Sequence, residues 1–272
     1  MGAARYLVQR ELRGAVRGYW FLAYSGVLIL GGLVLVSIGG ASGDILGHRG
    51  YARALAGLAH LGLVVVPLMA LFPAATALAG DRESGALDYL LAQPITRSQL
   101  YTGKWLGVTT AVLASLALAY GLFGSVAVLR GVGPELVLAL FGATVLLAVA
   151  FVSLGLLISA VSTSAHRAIS IAVAAWLFLL ALGSLGVMGA FVRWQLPRGA
   201  LVVWSFLNPI EACRLAIVPL LDPDVGLLGP VSADLVARIG TPGLVALAAA
   251  SLMAWSLVAA LAGRRLFRSA GS

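Results

Sequence analysis

GDRESGALDYLLAQPITRSQLYTGK, residues 80–104, is a charged interruption between two long apolar stretches, residues 55–79 and 100–129. Asp81, Arg82 and Glu83 follow Gly80 at once, and charges of both signs forbid burial of this point in lipid. From Ser84 a short helix is predicted to run to Gln93, with Leu87, Leu90 and Leu91 at i, i+3, i+4 spacing forming an apolar edge. Asp81, Glu83 and Asp88 lie toward its N-terminal half, where the helix dipole favours acidic groups. Pro94 stops this helix, and Thr96 with Gln99 has the T-x-x-Q form of a capping box that opens the next one. Lys104 is placed to snorkel back to the interface. The stretch, with the short helix set at residues 81–94, predicts a rigid helical joint between two membrane spans.

The composition sets the solvent. Hydrophobic residues make up 61% of the 272-residue chain, charged residues 10%, and the mean hydropathy is +1.03, far from the balance of a soluble domain. A single cysteine, Cys213, excludes an internal disulfide framework and is expected to serve as a small apolar side chain. The net charge of +8 sits at the ends of apolar spans rather than on a soluble basic face, so membrane topology explains it and no nucleic-acid partner is expected.

A hydrocarbon core needs about 20 apolar residues per helix. Six stretches reach that length, residues 19–40, 55–79, 100–129, 134–160, 168–192 and 242–261, which predicts an all-α integral membrane protein with six transmembrane helices. Two further spans within residues 202–229 are disfavoured because Asn208, Pro209, Glu211, Arg214, Pro219, Asp222 and Pro223 interrupt them; an extramembrane or interfacial segment is expected instead. With both termini cytoplasmic, the inner side holds eleven of the 18 Lys and Arg residues and the short outer loops hold three, Arg49, Arg53 and Arg130. The expected location is the cell (inner) membrane, multi-pass. Before the first span, Val8, Leu12, Ala15, Val16 and Tyr19 share one helical face, and Gln9, Arg10, Arg13 and Arg17 the other. Residues 1–18 therefore predict an amphipathic elbow carrying Arg5, Arg10, Arg13 and Arg17 against the lipid headgroups, followed by one permease domain over residues 19–272. The simpler alternative is that these arginines only orient the first span. A cleaved signal peptide fits poorly, since this leader is long and structured.

At this point ESGALDYLLAQPITRSQLYTGK, residues 83–104, resembles the E-x-G-T-L-x-x-L-L-A-x-P-V-[ST]-R-x-x-L-x-x-G-K signature of type-2 ABC transporter permeases. Ala86 stands where that family usually has Thr, which removes a hydroxyl but not the helix. The resemblance extends to the basic elbow, the six spans, a short turn at residues 161–167 and an N-P-x-E-x-x-R segment at residues 208–214. Within the family the chain looks most similar to permease subunits of exporters that serve maturation of nitrous oxide reductase. The resemblance implies a permease subunit that pairs with a second permease copy, a homodimer, and binds a separate ABC ATPase. Carried over, Asp81, Arg82, Glu83, Ser84, Gly85, Leu87 and Asp88 would contact the ATPase, with a smaller contact from Ser162, Thr163, Ser164, His166 and Arg167. ATP and Mg would belong to that partner. This chain has no G-x-x-x-x-G-K-[ST] phosphate loop, since Gly103-Lys104 runs into Trp105 and lacks the upstream glycine.

Apart from Glu135 at the very start of the fourth stretch, the six predicted spans contain no Asp or Glu, the usual markers of proton relays and cation sites. His60 stands near the outer end of the second span and is expected to be an interfacial hydrogen-bonding residue, not a metal ligand, because a metal site needs further ligands. Close helix contacts are expected at Gly103 and Gly107 and along Gly183, Gly186 and Gly189. In the external loop, residues 193–241, Asn208, Pro209 and Glu211 read as N-cap, N1 and N3 of a helix to about Leu220, with Arg214 paired to Glu211. This loop predicts a structural lid rather than a catalytic site; an extracytoplasmic partner protein could dock on it, though no motif in the sequence points to one. Thr241 and Pro242 are expected to open the last span. Two functions share these motifs: an ATP-driven exporter permease, and a non-transporting membrane transducer coupled to an ATPase and acting on a partner protein. A membrane enzyme or channel lacks the polar groups in its spans that it would need.

Overall fold

A polypeptide crossing lipid must satisfy every backbone polar group within itself, and a helix does so locally. The computed structural model describes residues 19–46, 48–181, 198–221 and 229–269, and among these every element is a helix. In chain order they are α1 (Tyr19–Leu46), α2 (His48–Glu83), α3 (Ala86–Leu91), α4 (Arg97–Leu129), α5 (Pro134–Val161), α6 (Ala165–Ala181), α7 (Arg198–Leu207), α8 (Pro209–Leu221) and α9 (Gly229–Ser269).

Among the described residues, four helices are long and apolar enough to cross a bilayer: Leu55–Glu83, Arg97–Leu129, Pro134–Val161 and Asp234–Ser269. Shorter apolar helices run over Ala23–Leu35 and Ala165–Ala181. At about 1.5 Å per residue, each of the four exceeds the roughly 30 Å hydrocarbon thickness. The protein is a multi-pass integral membrane protein. The elbow, residues 1–18, and the Gly183, Gly186 and Gly189 row lie outside the described residues.

Helix α5 is central, flanked by α2 on one side and α9 on another. Its Phe151, Leu147 and Leu156 are fully buried, as are Leu71, Ala74, Ala75 and Leu78 of α2. Two backbones meet closely at Gly155, where an added Cβ would lie 2.7 Å from both the Ala74 Cβ and the Leu71 carbonyl oxygen. Pro67 and Pro73 both fall inside α2. Thr76 Oγ1 donates to the carbonyls of Phe72 and Pro73 at 3.1 and 3.2 Å, back-bonding that occupies acceptors next to the proline. Gly103 and Gly107 are buried in α4.

The segment read from sequence as extramembrane or interfacial is part of the bundle. Helix α8 starts where predicted: Asn208 Oδ1 accepts from the Ile210 amide at 3.0 Å, Pro209 opens the helix, and Arg214 pairs with Glu211. Yet Pro209, Ile210, Glu211, Ala212 and Cys213 are buried, and Cys213 Sγ lies 3.6 Å from the Ala143 carbonyl well inside α5. The α7–α8 corner is tied to two further helices. Asn208 Nδ2 donates to Leu179 O of α6 at 2.6 Å, while Ser251 Oγ and Trp255 Nε1 of α9 donate to Phe206 O and Leu207 O at 2.7 and 3.1 Å. Of the polar residues that argued against burial, Asn208 caps and cross-links and Glu211 pairs with Arg214, while Asp222 and Pro223 lie outside the described residues. Helix α9 breaks at Gly240, φ 71°, immediately before Thr241 and Pro242, where the last span was predicted to open.

Candidate functional site

The charged stretch becomes three pieces with distinct jobs. Asp81, Arg82 and Glu83 form the last turn of α2 instead of the first turn of the short helix, which covers only Ala86–Leu91. Ser84 closes α2, its Oγ donating to Gly80 O at 2.9 Å and its amide to the same carbonyl at 3.0 Å. Gly85 then reverses the chain with φ 72°, a left-handed conformation that costs a side-chain-bearing residue about 1–2 kcal/mol. Helix α3 follows with Leu87 and Leu90 buried, and with Asp88 and Tyr89 facing out, Tyr89 at 73% exposure. The predicted capping box is present: Thr96 Oγ1 accepts from the Gln99 amide at 3.2 Å, and Gln99 Oε1 accepts from the Thr96 amide at 2.9 Å.

Each charge at the end of α2 has an internal partner. Asp81 pairs with Lys104 of α4 at 2.6 Å, and the lysine is only 3% exposed. Lys104 is therefore turned into the protein, where Asp81, brought alongside by the packing of α2 on α4, supplies its counter-charge. The Arg82 guanidinium donates to Ser162 O and, at 3.4 Å, to Ala160 O, carbonyls at the C-terminal end of α5. Glu83 Oε2 accepts from the Ala165 amide, the first of α6, at 2.8 Å. Ser164 caps the same helix, its Oγ accepting from the Arg167 amide at 3.3 Å. Ser162 is buried and donates to Ile158 O at 2.7 Å, whereas His166 and Arg167 are exposed.

Thus the structure brings together both sequence-predicted clusters, residues 81–88 and 162–167, on one end of the bundle. A cleft of about 580 Å³ opens between them, lined by Arg82, Leu87, Asp88, Arg97, Thr163 and Leu266 among others. The end of α9 closes its far side. Arg264 Nε donates to Ser98 Oγ at 2.5 Å, and Arg97 lies 5.8 Å from the centre of the Phe267 ring. Elsewhere, His60 bonds Ala56 O in its own helix at 2.9 Å. Among the described residues no three His, Cys, Asp or Glu side chains converge on a metal position. The short outward helix thus follows a turn of α2 that is joined by an ion pair to α4 and by hydrogen bonds to α5 and the start of α6.

Sequence reasoning passed over Ser159, whose Oγ accepts from the amides of both Leu78 and Ala79 at 2.9 Å. Its signal was present, since Gly155 and Ser159 form a small-xxx-small pair on α5. Tyr89 was also passed over, and no pattern in the sequence distinguishes it from a core aromatic.

A family model of ABC-2 family transporter proteins matches residues 5–271. The chain is 30% identical over 222 residues to a probable ABC transporter permease protein NosY of Pseudomonas aeruginosa, covering 77% of this chain and 79% of that protein. It is 26% identical over 275 residues to a probable ABC transporter permease protein NosY of Stutzerimonas stutzeri, covering 96% of each. A match over nearly the whole chain, together with four apolar helices of spanning length, carries the assignment. The chain belongs to the ABC-2 transporter family, as an ABC transporter permease subunit.

Proposed function

We propose that this chain is the transmembrane half of an ATP-driven exporter, working as a homodimer with a separate ATPase that holds the ATP and Mg. In this proposal α1, α2, α4, α5, α6 and α9 belong to the six spans predicted from the sequence. Both termini lie in the cytoplasm of a cell-membrane protein, as the distribution of Lys and Arg favours. The elbow arginines Arg5, Arg10, Arg13 and Arg17 rest on lipid headgroups, and a partner outside the cell meets the segment through the partly exposed Arg214. The α3 turn is the coupling helix. The ATPase touches its outer face, Ser84, Gly85, Asp88 and Tyr89, and reaches His166 and Arg167 beside it. Leu87 supports that face from below, and Asp81, Arg82 and Glu83 brace it.

One observation carries this proposal: α3 presents an exposed face, its leucines Leu87 and Leu90 are buried, and the charges of the α2 turn just before it are bonded to α4, α5 and α6. A loop held only by solvent would absorb a push, and a braced helix transmits it. Asp88→Arg with Tyr89→Ala should release the ATPase from the purified complex and abolish ATP-driven transport in proteoliposomes. Full transport by that double variant would refute the assignment. ATPase binding with no substrate crossing under any condition would select the non-transporting transducer instead.

A further inference from the structure

We propose that Arg82 and Glu83 are positioning residues that join the α3 turn and the α5–α6 turn into one moving block. Adjacent residues on a helix point about 100° apart, so the end of α2 can reach two partners at once. Helix α5 ends in orphan carbonyls and α6 begins with orphan amides, separated only by Ser162, Thr163 and Ser164. Arg82 donates to the carbonyls of Ala160 and Ser162, and Glu83 accepts from the Ala165 amide at 2.8 Å. Each charge has the sign that its helix end favours: a cation at a C-terminus and an anion at an N-terminus.

The same seam continues into the bundle. Ser159 Oγ receives the Leu78 and Ala79 amides at 2.9 Å, and Gly155 lets α5 close on Ala74. On the other flank Asp81 holds Lys104 of α4 at 2.6 Å. A displacement of α3 is therefore delivered to α4, α5 and α6 together. The carboxylate of Glu83 acts inside the subunit and not as a contact for a partner. This inference rests on α3 being the surface that receives the ATPase, but the clamp itself is measurable without one.

Spin labels at Tyr89→Cys and Arg167→Cys, in a Cys213→Ala background, report the distance between the two turns in the isolated permease by pulsed electron resonance. A single narrow distance is expected. Glu83→Ala should raise the undocked population about tenfold, the loss expected for one hydrogen bond to a charged group. Glu83→Gln keeps an acceptor oxygen and should restore the narrow distance. Arg82→Lys keeps the charge but loses the planar fork, and should broaden it in part. An unchanged distance in Glu83→Ala, or a Gln variant no better than Ala, overturns the clamp. In the reconstituted complex Glu83→Ala should retain its ATPase while transport per ATP falls about tenfold, as one such bond implies. Loss of the ATPase instead would make Glu83 a direct contact and overturn the clamp. If Asp88 and Tyr89 variants leave ATPase binding intact, the coupling surface is misplaced, and the distance measurement still stands or falls by itself.

Discussion

Gly85 and Lys104 carry the sharpest residue-scale consequences. Gly85 sits at φ 72° with open space around it, so the objection to a side chain there is backbone strain alone. Gly85→Val should lower stability by about 1–2 kcal/mol, and Gly85→Asn, which tolerates this conformation, should cost less; thermal unfolding in detergent compares them. Lys104 and Asp81 form a largely buried pair. Lys104→Met strands a carboxylate and should destabilise by about 3–5 kcal/mol, while adding Asp81→Asn should recover most of that loss. If the double variant is no more stable than the single one, the two charges are not coupled. At this scale the Thr96–Gln99 box was legible in the sequence because its partners lie three residues apart. The partners of Asp81, Arg82 and Glu83 were not, because they come from α4, α5 and α6, and only the fold brings them near.

Helices differ in how much of themselves they disclose. The long apolar runs of α2, α4, α5 and α9 announce themselves by length, and Thr241 and Pro242 marked the place where α9 breaks, at Gly240. Helix α8 proved more buried than its sequence suggested, because Asn208, Glu211 and Arg214 read as obstacles to burial, whereas a cap and an ion pair satisfy Asn208 and Glu211 within the bundle. The α2–α5 seam was hidden in another way. Its signal is only a Gly and a Ser four residues apart, a spacing common in membrane helices. Ser159→Ala removes the hydroxyl that the Leu78 and Ala79 amides share in addition to their own helical acceptors, and should cost about 0.5–1.5 kcal/mol. Gly155→Leu should be worse, since its Cβ alone already meets Ala74 and Leu71 at 2.7 Å. Thermal midpoints of the two variants rank the contributions, and a Gly155→Leu protein as stable as the parent would remove the close crossing from the account.

Seen whole, the molecule is a helical bundle in which the short helix α3 follows directly on a turn of α2 whose charges are bonded to α4, α5 and the start of α6. The charged clusters that sequence placed in two separate loops meet at one end of that bundle, beside the terminus of α9. Nothing in the chain's length or composition foretold that meeting; it follows from α2 running the full distance to Glu83 and ending against the α5–α6 turn. The central claim is that this end is where an ATPase delivers its stroke. A photo-reactive amino acid in place of Tyr89, in membranes containing the assembled complex, tests it most directly. The account predicts a covalent adduct between this chain and the ATPase polypeptide; an intact complex that yields no such adduct would contradict it.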